Sequence, residues 1–353
     1  MGMKSLNLKG IQRMKKFGWI AVVVMVGSGM MARAQAPAQV SPATAEAEQV
    51  GQPQAPTPNA APVNPFPPVN PKNFTADSPT PAVVNDFLKT LWGYNDGLTW
   101  SVEAIQKTPA AGVVRVVVLI ANKAQPGKLG RNVLFITPDG KHAIADAVID
   151  FGSTPYAERR KVLQDQAKGP AVGAAGKDLL VVEFGDLLNA RSKDANDAIE
   201  NLVKDFPEAR VVFENLPPND SPYASHAAAE GVCVREAKGD AAFFTYAQAV
   251  FNTQQGLTAA TLEPALSAAV TAAGADPKSV LACADSNAAK DDVKASVALG
   301  AAVGIDQSGV LVVNGRVLPI SSMPYETLKK IVAYQAKLDG ITVHVQPTLS
   351  TLK

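Results

Sequence analysis

The sequence predicts an α/β protein with two folded domains, a small α+β unit and a larger unit with a parallel pair of strands. Three patterns predict this fold class. A helical pattern, several strand patterns and a charged helix fill residues 81–170. A strand–helix–strand pattern opens residues 171–345, and a hairpin with a helix closes them. Between these two parts, residues 225–304 form an alanine-rich helical stretch, which we interpret as a helical insertion.

Residues 1–34 have the layout of a secretory signal peptide. Basic residues precede an apolar run of about 15 residues, and Ala32-Arg33-Ala34 follows it. The run is short for a membrane span, which needs roughly 20 residues. We therefore expect a periplasmic or secreted protein, with an uncleaved N-terminal anchor as the alternative.

Removing this segment makes the chain mildly acidic. Residues 1–34 contain six basic residues and no acidic ones, so the formal charge falls from +1 to about −5. Because no basic patch is left, nucleic-acid binding is not expected. No later stretch is long and apolar enough to span a bilayer, so no membrane association is expected after cleavage.

Residues 35–80 separate the signal peptide from the first domain. They are rich in Ala, Pro, Gln, Asn and Thr and contain few large apolar side chains. Such a segment cannot bury enough apolar surface to offset the entropy lost on ordering. We expect residues 35–80 to be a disordered linker.

The first domain, residues 81–170, combines one helix, several strands and a second helix. Apolar residues from Val83 to Leu91 recur at helical spacing, and Trp92-Gly93 ends the pattern. Pro138-Asp139-Gly140 predicts a hairpin turn between two strands of an antiparallel sheet. The predicted strands cover residues 100–105, 112–120, 132–136 and 141–151, and the second helix covers 155–168.

The second domain, residues 171–345, begins with a βαβ pattern. The continuous apolar run at residues 179–184 predicts a buried strand, and its partner at 210–213 should lie parallel to it. Glycines 239, 256 and 274 divide the insertion into several helices. Asn314-Gly315 predicts a type I′ turn. The remaining elements are a helix over residues 194–206, a hairpin over 310–320 and a closing helix over 325–338.

One segment of this domain resembles a known family. Val182-Glu183-Phe184-Gly185-Asp186-Leu187-Leu188 is similar to the strand that leads into the active site of DsbA-like thioredoxin-fold enzymes, where Cys-Pro-x-Cys follows. The resemblance covers residues 155–335 and implies a thioredoxin-like fold with a helical insertion, in a thiol:disulfide interchange family. Residues 81–152 resemble the N-terminal domain of DsbC/DsbG-type proteins, which implies self-association.

The sequence departs from that family at both halves of its active site. Asn189-Ala190-Arg191-Ser192 stands in place of Cys-Pro-x-Cys, and Ser308-Gly309 in place of the cis-proline motif. Disulfide exchange needs a thiolate, which neither Asn189 nor Ser192 can supply. We therefore expect no catalytic residues here, although the family is enzymatic. We also expect a trans bond between Ser308 and Gly309, because a cis bond before a non-proline costs roughly 2.5–4 kcal/mol.

The replacement residues admit three interpretations. Asn189 can simply cap the helix that follows by accepting from the amide of residue 191 or 192. Alternatively, Asn189, Arg191 and Ser192 can bind an anion or a substrate carbonyl at the helix N-terminus. A nucleophilic Ser192 would need a positioned base, and His226 is the one conceivable base among the three histidines.

Cys233 and Cys283, the only cysteines, lie in the insertion. In an oxidising compartment an isolated pair usually forms a structural disulfide, and cysteines at similar positions occur in the family that this chain resembles. Closing this loop is worth roughly 4 kcal/mol on the chain-entropy model. Two free thiols and a displaced redox pair are the alternatives. The wide spacing of the cysteines and histidines matches no zinc pattern, so we expect neither metal nor cofactor.

These observations lead to one functional hypothesis and two alternatives. The leading hypothesis is an exported, non-catalytic thioredoxin-like protein that binds an extracytoplasmic polypeptide in a chaperone-like manner. The first alternative is a thiol-disulfide oxidoreductase with residual activity through Cys233 and Cys283. The second is a structural protein that forms a homo-oligomer through its first domain.

Overall fold

The computed structural model describes residues 64–145, 148–320 and 323–345. The predicted signal peptide and most of the predicted linker lie outside these residues. The described part contains two five-stranded sheets, one in each domain. None of the helices described combines the length and the apolarity needed to cross a bilayer.

The first sheet is an antiparallel meander with the strand order β1-β2-β3-β4-β5. Helix α1 (Pro81–Trp92) covers one face and begins at Thr80, whose side chain accepts from the amide of Val83. Val84 and Phe87 of this helix are buried against the sheet. The strands are β1 (Leu98–Lys107), β2 (Val114–Asn122), β3 (Leu129–Ile136), β4 (His142–Ile144) and β5 (Val148–Asp150).

The predicted strand over residues 141–151 is wrong in one respect, because this segment forms two strands. Strands β4 and β5 pair with each other, and Ala143 lies opposite both Ile136 of β3 and Ile149 of β5. The sequence between the two strands, Ala145-Asp146-Ala147, contains no glycine or proline from which an interruption could be predicted.

The predicted linker is too long at its C-terminal end. Residues Pro71–Asn73 form a turn of 3-10 helix, and Phe74 bridges to Ile105 of β1 in parallel orientation. The amide of Thr75 donates to the Ile105 carbonyl at 2.9 Å. Phe74 is partly buried against the core of the first domain, and this contact and the backbone bonds to Ile105 join the segment before α1 to β1.

The second sheet has the order β10-β9-β7-β8-β6. Its central strand β7 is buried along its whole length, lies parallel to β8 and antiparallel to β9. The short strand β6 was not predicted, because it has only three residues beside several glycines. Helix α2 (Ala157–Gln166), which we predicted as the last element of the first domain, packs through Leu163 against this second sheet instead. The other elements are β6 (Ala171–Gly173), β7 (Leu179–Gly185), α3 (Ala190–Asp205), β8 (Ala209–Asn215), β9 (Val310–Val313), β10 (Arg316–Pro319) and α9 (Tyr325–Leu338).

Five helices lie between β8 and β9 and form the predicted insertion. Their apolar faces share one core, which includes Tyr246, Phe251 and Leu266. The predicted breaks at Gly239, Gly256 and Gly274 coincide with the ends of helices. The helices are α4 (Pro222–Lys238), α5 (Asp240–Thr253), α6 (Ala259–Ala272), α7 (Pro277–Ala284) and α8 (Asn287–Ala302).

The two domains meet where β10 and α9 face the C-terminal end of α1. The guanidinium of Arg316, which is buried, donates to the carbonyls of Thr90 at 3.1 Å and Leu91 at 2.8 Å. The hydroxyl of Tyr334 donates to the Lys89 carbonyl at 2.7 Å. The carbonyls of Thr90 and Leu91 lie in the last turn of α1, where helical amides run out, whereas the Lys89 carbonyl also accepts from the amide of Gly93 at 2.9 Å.

Candidate functional site

The turn between β7 and α3 carries the residues that stand in place of Cys-Pro-x-Cys. At the end of β7, the amide of Asp186 donates to the Ser192 hydroxyl at 2.9 Å. The Asp186 carboxylate accepts from the Leu188 amide at 2.9 Å, and the Asp186 carbonyl accepts from the Asn189 amide at 2.9 Å. These bonds close the turn, so that α3 begins at Ala190, four residues before the start that apolar periodicity predicted.

Asn189 is the N-cap of α3, as the first interpretation predicted. Its backbone is extended, and its side-chain oxygen accepts from the amide of Arg191 at 2.9 Å. Its side-chain nitrogen donates to the Ser308 hydroxyl at 3.0 Å. One amide group therefore links the two segments in which the sequence departs from the family pattern.

Ser192 is fully buried, and its hydroxyl accepts from the Asp186 amide. His226, the conceivable base, lies in α4 and contacts Glu230 at 3.2 Å and Glu263 at 3.7 Å. The hydrogen bond with Glu230 raises the pKa of His226, which favours the protonated form. Ser192 is thus closed off from solvent, and His226 contacts carboxylates of the insertion, so these described contacts do not favour a nucleophilic serine.

Ser308 and Gly309 pack against the first turn of α3, and the peptide bond that joins them is trans, as predicted. The amide of Gly309 donates to the Phe184 carbonyl at 2.8 Å, which ties this loop to β7. Gly309 has a φ of +76°, and a Cβ on it would lie 2.5 Å from the Cβ of Arg191. Only glycine fits this close approach.

An open cleft of about 360 Å³ lies beside the head of α3. Its lining includes the polar side chains of Asn189, Gln307 and Ser308, and the guanidinium of Arg191 donates to the side-chain oxygen of Gln307 at 3.5 Å. The rest of the lining is mostly apolar. The remaining lining residues are Leu216, Pro217, Pro218, Asn219, Val297, Ala301, Ile305 and Asp306.

Two carboxyl groups near this head have raised pKa values. Glu183 of β7 is fully buried, and neither of its oxygens has a hydrogen-bond partner. Burial therefore raises the pKa of Glu183 well above its usual range. Burial also raises the pKa of Asp186, although the bond from the Leu188 amide opposes this. The sequence motif contains both residues, but their isolation depends on the strands and helices that cover them.

Gln254 is a site residue that sequence reasoning missed. It follows α5 in the insertion, and its side-chain nitrogen donates to the carbonyls of Leu187 at 2.7 Å and Asn189 at 3.2 Å. The insertion thus supports the turn before α3. These partners are more than 60 residues apart in sequence, and no local pattern around Gln254 indicates the contact.

The predicted disulfide between Cys233 and Cys283 is confirmed. It joins α4 to α7, with the two Cα atoms 5.9 Å apart. The alternative of two free thiols is therefore wrong. Cys233 is almost fully buried in the interior of α4. Because the chain has no other cysteine, the head of α3 carries no sulfur.

The sheet of the second domain combines a parallel unit and an antiparallel hairpin. The parallel unit β7-α3-β8 is followed by the antiparallel hairpin of β9 and β10 and by α9. The five helices of the insertion interrupt this order between β8 and β9. The second domain therefore has a thioredoxin-like fold with a helical insertion.

Comparisons with known proteins give structural likenesses only. No protein-family model matches the sequence, and no curated protein matches it. ScsC of Proteus mirabilis has 19% identity and a TM-score of 0.43, covering 52% of this chain and 79% of its own. Oxidised BdbD of Bacillus subtilis has 21% identity and a TM-score of 0.42, and the match covers 48% of this chain and 93% of its own. The thiol-disulfide exchange protein alpha-DsbA2 of Wolbachia pipientis has 16% identity and a TM-score of 0.44, and the match covers 51% of this chain and 94% of its own.

Proposed function

We propose that this thioredoxin-like protein is a non-catalytic, chaperone-like module that binds an extracytoplasmic polypeptide. One observation carries the proposal. The positions that would hold a reactive dithiol are occupied by hydrogen-bonded structural residues, whereas the cleft beside them is open. The scaffold therefore keeps a surface for binding, and the redox chemistry has no sulfur to proceed through.

The composition of the cleft favours a polypeptide as its occupant. Leu216 and Ile305 offer apolar surface against which a side chain can pack. The Ser308 hydroxyl accepts from the side-chain nitrogen of Asn189 and can donate its own proton to a peptide backbone. Such a combination suits an unfolded or extended segment, which presents both apolar side chains and unpaired backbone groups.

An extracytoplasmic location is part of this proposal. A disulfide that joins two helices of a folded domain persists in an oxidising compartment and is rare in the cytosol. The bond between Cys233 and Cys283 therefore supports export to the periplasm or beyond. The client is expected to be a protein of the same compartment.

An aggregation assay tests the binding proposal. We expect the purified protein to suppress light scattering by a denatured client, and Ala301→Arg to remove this effect because the new side chain fills the cleft. Ala295→Arg is the matched control, since Ala295 is an exposed residue of the same helix outside the cleft. The proposal fails if the wild type does not suppress aggregation or if both variants act alike.

An insulin-reduction assay separates this proposal from the enzymatic alternative. We expect no reduction above the uncatalysed rate. Activity that disappears in Cys233→Ser would show that the disulfide of the insertion takes part in thiol exchange, and the protein would then be an oxidoreductase.

Self-association through the first domain is a second proposal, supported by one observation. Phe135, Ile144 and Val148, on adjacent strands of the first sheet, expose apolar side chains, and Val148 is 63% exposed. Light scattering coupled to size exclusion should give a dimer for the wild type and a monomer for Val148→Asp. A monomeric wild type would overturn this proposal.

A further inference from the structure

Three potential metal ligands come together in the insertion, away from the head of α3. His226 and Glu230 lie one turn apart on α4, and Glu263 reaches them from α6. The Nε2 atom of His226 is 3.2 Å from Oε1 of Glu230 and 3.7 Å from Oε2 of Glu263. All three ligand atoms lie within 4.8 Å of one another.

Glu230 supplies an independent reason to expect a cation at this point. Only 2% of its surface is exposed, and its Oε2 atom is buried without a hydrogen-bond partner, because the nearby hydroxyl of Tyr246 donates to the Ala227 carbonyl at 2.9 Å instead. A buried carboxylate is costly unless its charge is paired and its oxygens are bonded. His226 satisfies one of the two oxygens, so the other is left with coordination capacity.

The dimensions of the cluster suit a small transition-metal ion. Zinc binds imidazole nitrogen and carboxylate oxygen at about 2.0–2.2 Å, so neighbouring ligands of a tetrahedral ion lie about 3.4 Å apart. The two distances from His226 bracket that value. The imidazole ligand favours zinc-class ions over magnesium and calcium, which prefer oxygen ligands alone.

The site is also accessible from solvent. The side chains of His226 and Glu263 are 27% and 55% exposed, whereas that of Glu230 is 3% exposed. An ion can therefore enter from the side of Glu263 and keep a water molecule as its fourth ligand, as three-ligand zinc sites do.

We propose that His226, Glu230 and Glu263 form a binding site for a divalent transition-metal ion of the zinc class. The ion joins α4 to α6 in the same insertion in which the disulfide joins α4 to α7. Because the folded insertion assembles the ligands and the unfolded chain does not, binding of the ion stabilises the fold.

Titration calorimetry of the untagged, oxidised protein with zinc chloride tests this site. We expect one equivalent to bind to the wild type, and at least a tenfold weaker affinity for His226→Ala and for Glu263→Gln. His344→Ala is the matched control, because His344 contacts a single carboxylate, Glu208, at 2.6 Å on the surface. It should bind zinc like the wild type, and millimolar magnesium should not compete.

Two results would overturn the proposal. The first is no stoichiometric zinc binding by the wild type, which would leave the cluster as an ion pair alone. The second is a zinc affinity of Glu263→Gln equal to that of the wild type. If circular dichroism shows that His226→Ala is unfolded, the zinc affinity of Glu263→Gln alone tests the proposal. Glu263 is exposed, so its replacement should leave the fold intact. A cobalt spectrum with ligand-field bands in the wild type and without them in Glu263→Gln gives a second, independent readout.

Discussion

The head of α3 and the helical insertion differ in their cysteines and in the surroundings that they offer a cysteine. The head of α3 has the position that activates a cysteine, a helix N-terminus at the end of a buried strand, but it has no cysteine. The insertion has both cysteines, but Cys233 is buried in the middle of a helix and bonded to Cys283. Thiol-disulfide exchange needs a cysteine at an activating position, and in this protein the cysteines and that position lie in different regions.

The two regions are also held together by different kinds of interaction. Uncharged hydrogen bonds of Asn189, Ser192 and Gln254 fix the head of α3, and each contributes little by itself. The insertion has a covalent bond around a shared apolar core. We therefore expect substitutions in the insertion to lower the free energy of unfolding more than substitutions at the head of α3.

Removal of the disulfide should have the largest effect. The double substitution Cys233→Ala and Cys283→Ala opens a loop with a sequence separation of 50, so the free energy of unfolding should fall by about 4 kcal/mol on the chain-entropy model. Urea unfolding followed by far-ultraviolet circular dichroism measures this. Dithiothreitol should destabilise the wild type similarly and leave the double variant unchanged. An unchanged unfolding midpoint in the variant would show that the cross-link is dispensable.

Ser192→Ala should have the next largest effect, at the head of α3. It leaves the buried amide of Asp186 without an acceptor, which costs about 1–3 kcal/mol. The same urea titration measures the loss, and Ser153→Ala, at an exposed serine, is the control. A loss as large as that of the disulfide variant would contradict the ranking of the two regions.

Sequence reasoning reached the features that depend on residue type and local order. The cap role of Asn189 follows from its side chain, and the disulfide follows from an isolated pair of cysteines. The predicted type I′ turn follows from Asn314-Gly315, which have the positive φ angles of 45° and 86° that this turn requires. The buried strand β7 follows from its continuous apolar run. The cap, the turn and the strand depend on residues close together in the sequence. The disulfide depends on the presence of only two cysteines in the chain.

The features that sequence reasoning missed depend on contacts between distant segments. Gln254 supports the turn before α3 from the end of α5, and Glu263 joins His226 from another helix. The expectation of no metal came from spacing along the chain, which does not show that His226 and Glu263 are brought together by the packing of two helices. Whether zinc binds there stays a proposal. The isolation of Glu183 likewise needs knowledge of everything that covers β7.

Glu183 offers a test of the core beneath the head of α3 through pH. Burial raises its pKa above the ordinary 4.5, so both the folded and unfolded states are protonated below that pH. As pH rises above it, the unfolded chain ionises first, which destabilises the folded state. Glu183→Gln should therefore stabilise the protein at pH 7 by about 1 kcal/mol or more, and not at pH 3.

A matched control for this prediction lies on the neighbouring strand. Glu214 of β8 is also buried, but it accepts from the amides of Lys168 and Gly169 and from the hydroxyl of Ser296. Glu214→Gln should therefore destabilise the protein at pH 7. Urea titrations of both variants at pH 3 and pH 7 measure the difference, and the same sign for the two at pH 7 would contradict the isolation of Glu183.

The smallest effect should come from Asn189, which has two roles that can be separated. Asn189→Ala removes the cap and the bond to Ser308, and should cost about 1 kcal/mol. Asn189→Asp keeps an oxygen that can cap Arg191 but loses the donor to Ser308, so its cost should be only a few tenths of a kcal/mol. Hydrogen exchange at the Arg191 amide should accelerate in the first variant and not in the second. If hydrogen exchange at the Arg191 amide accelerated equally in both variants, the bond to Ser308, and not the cap, would be what stabilises the start of α3.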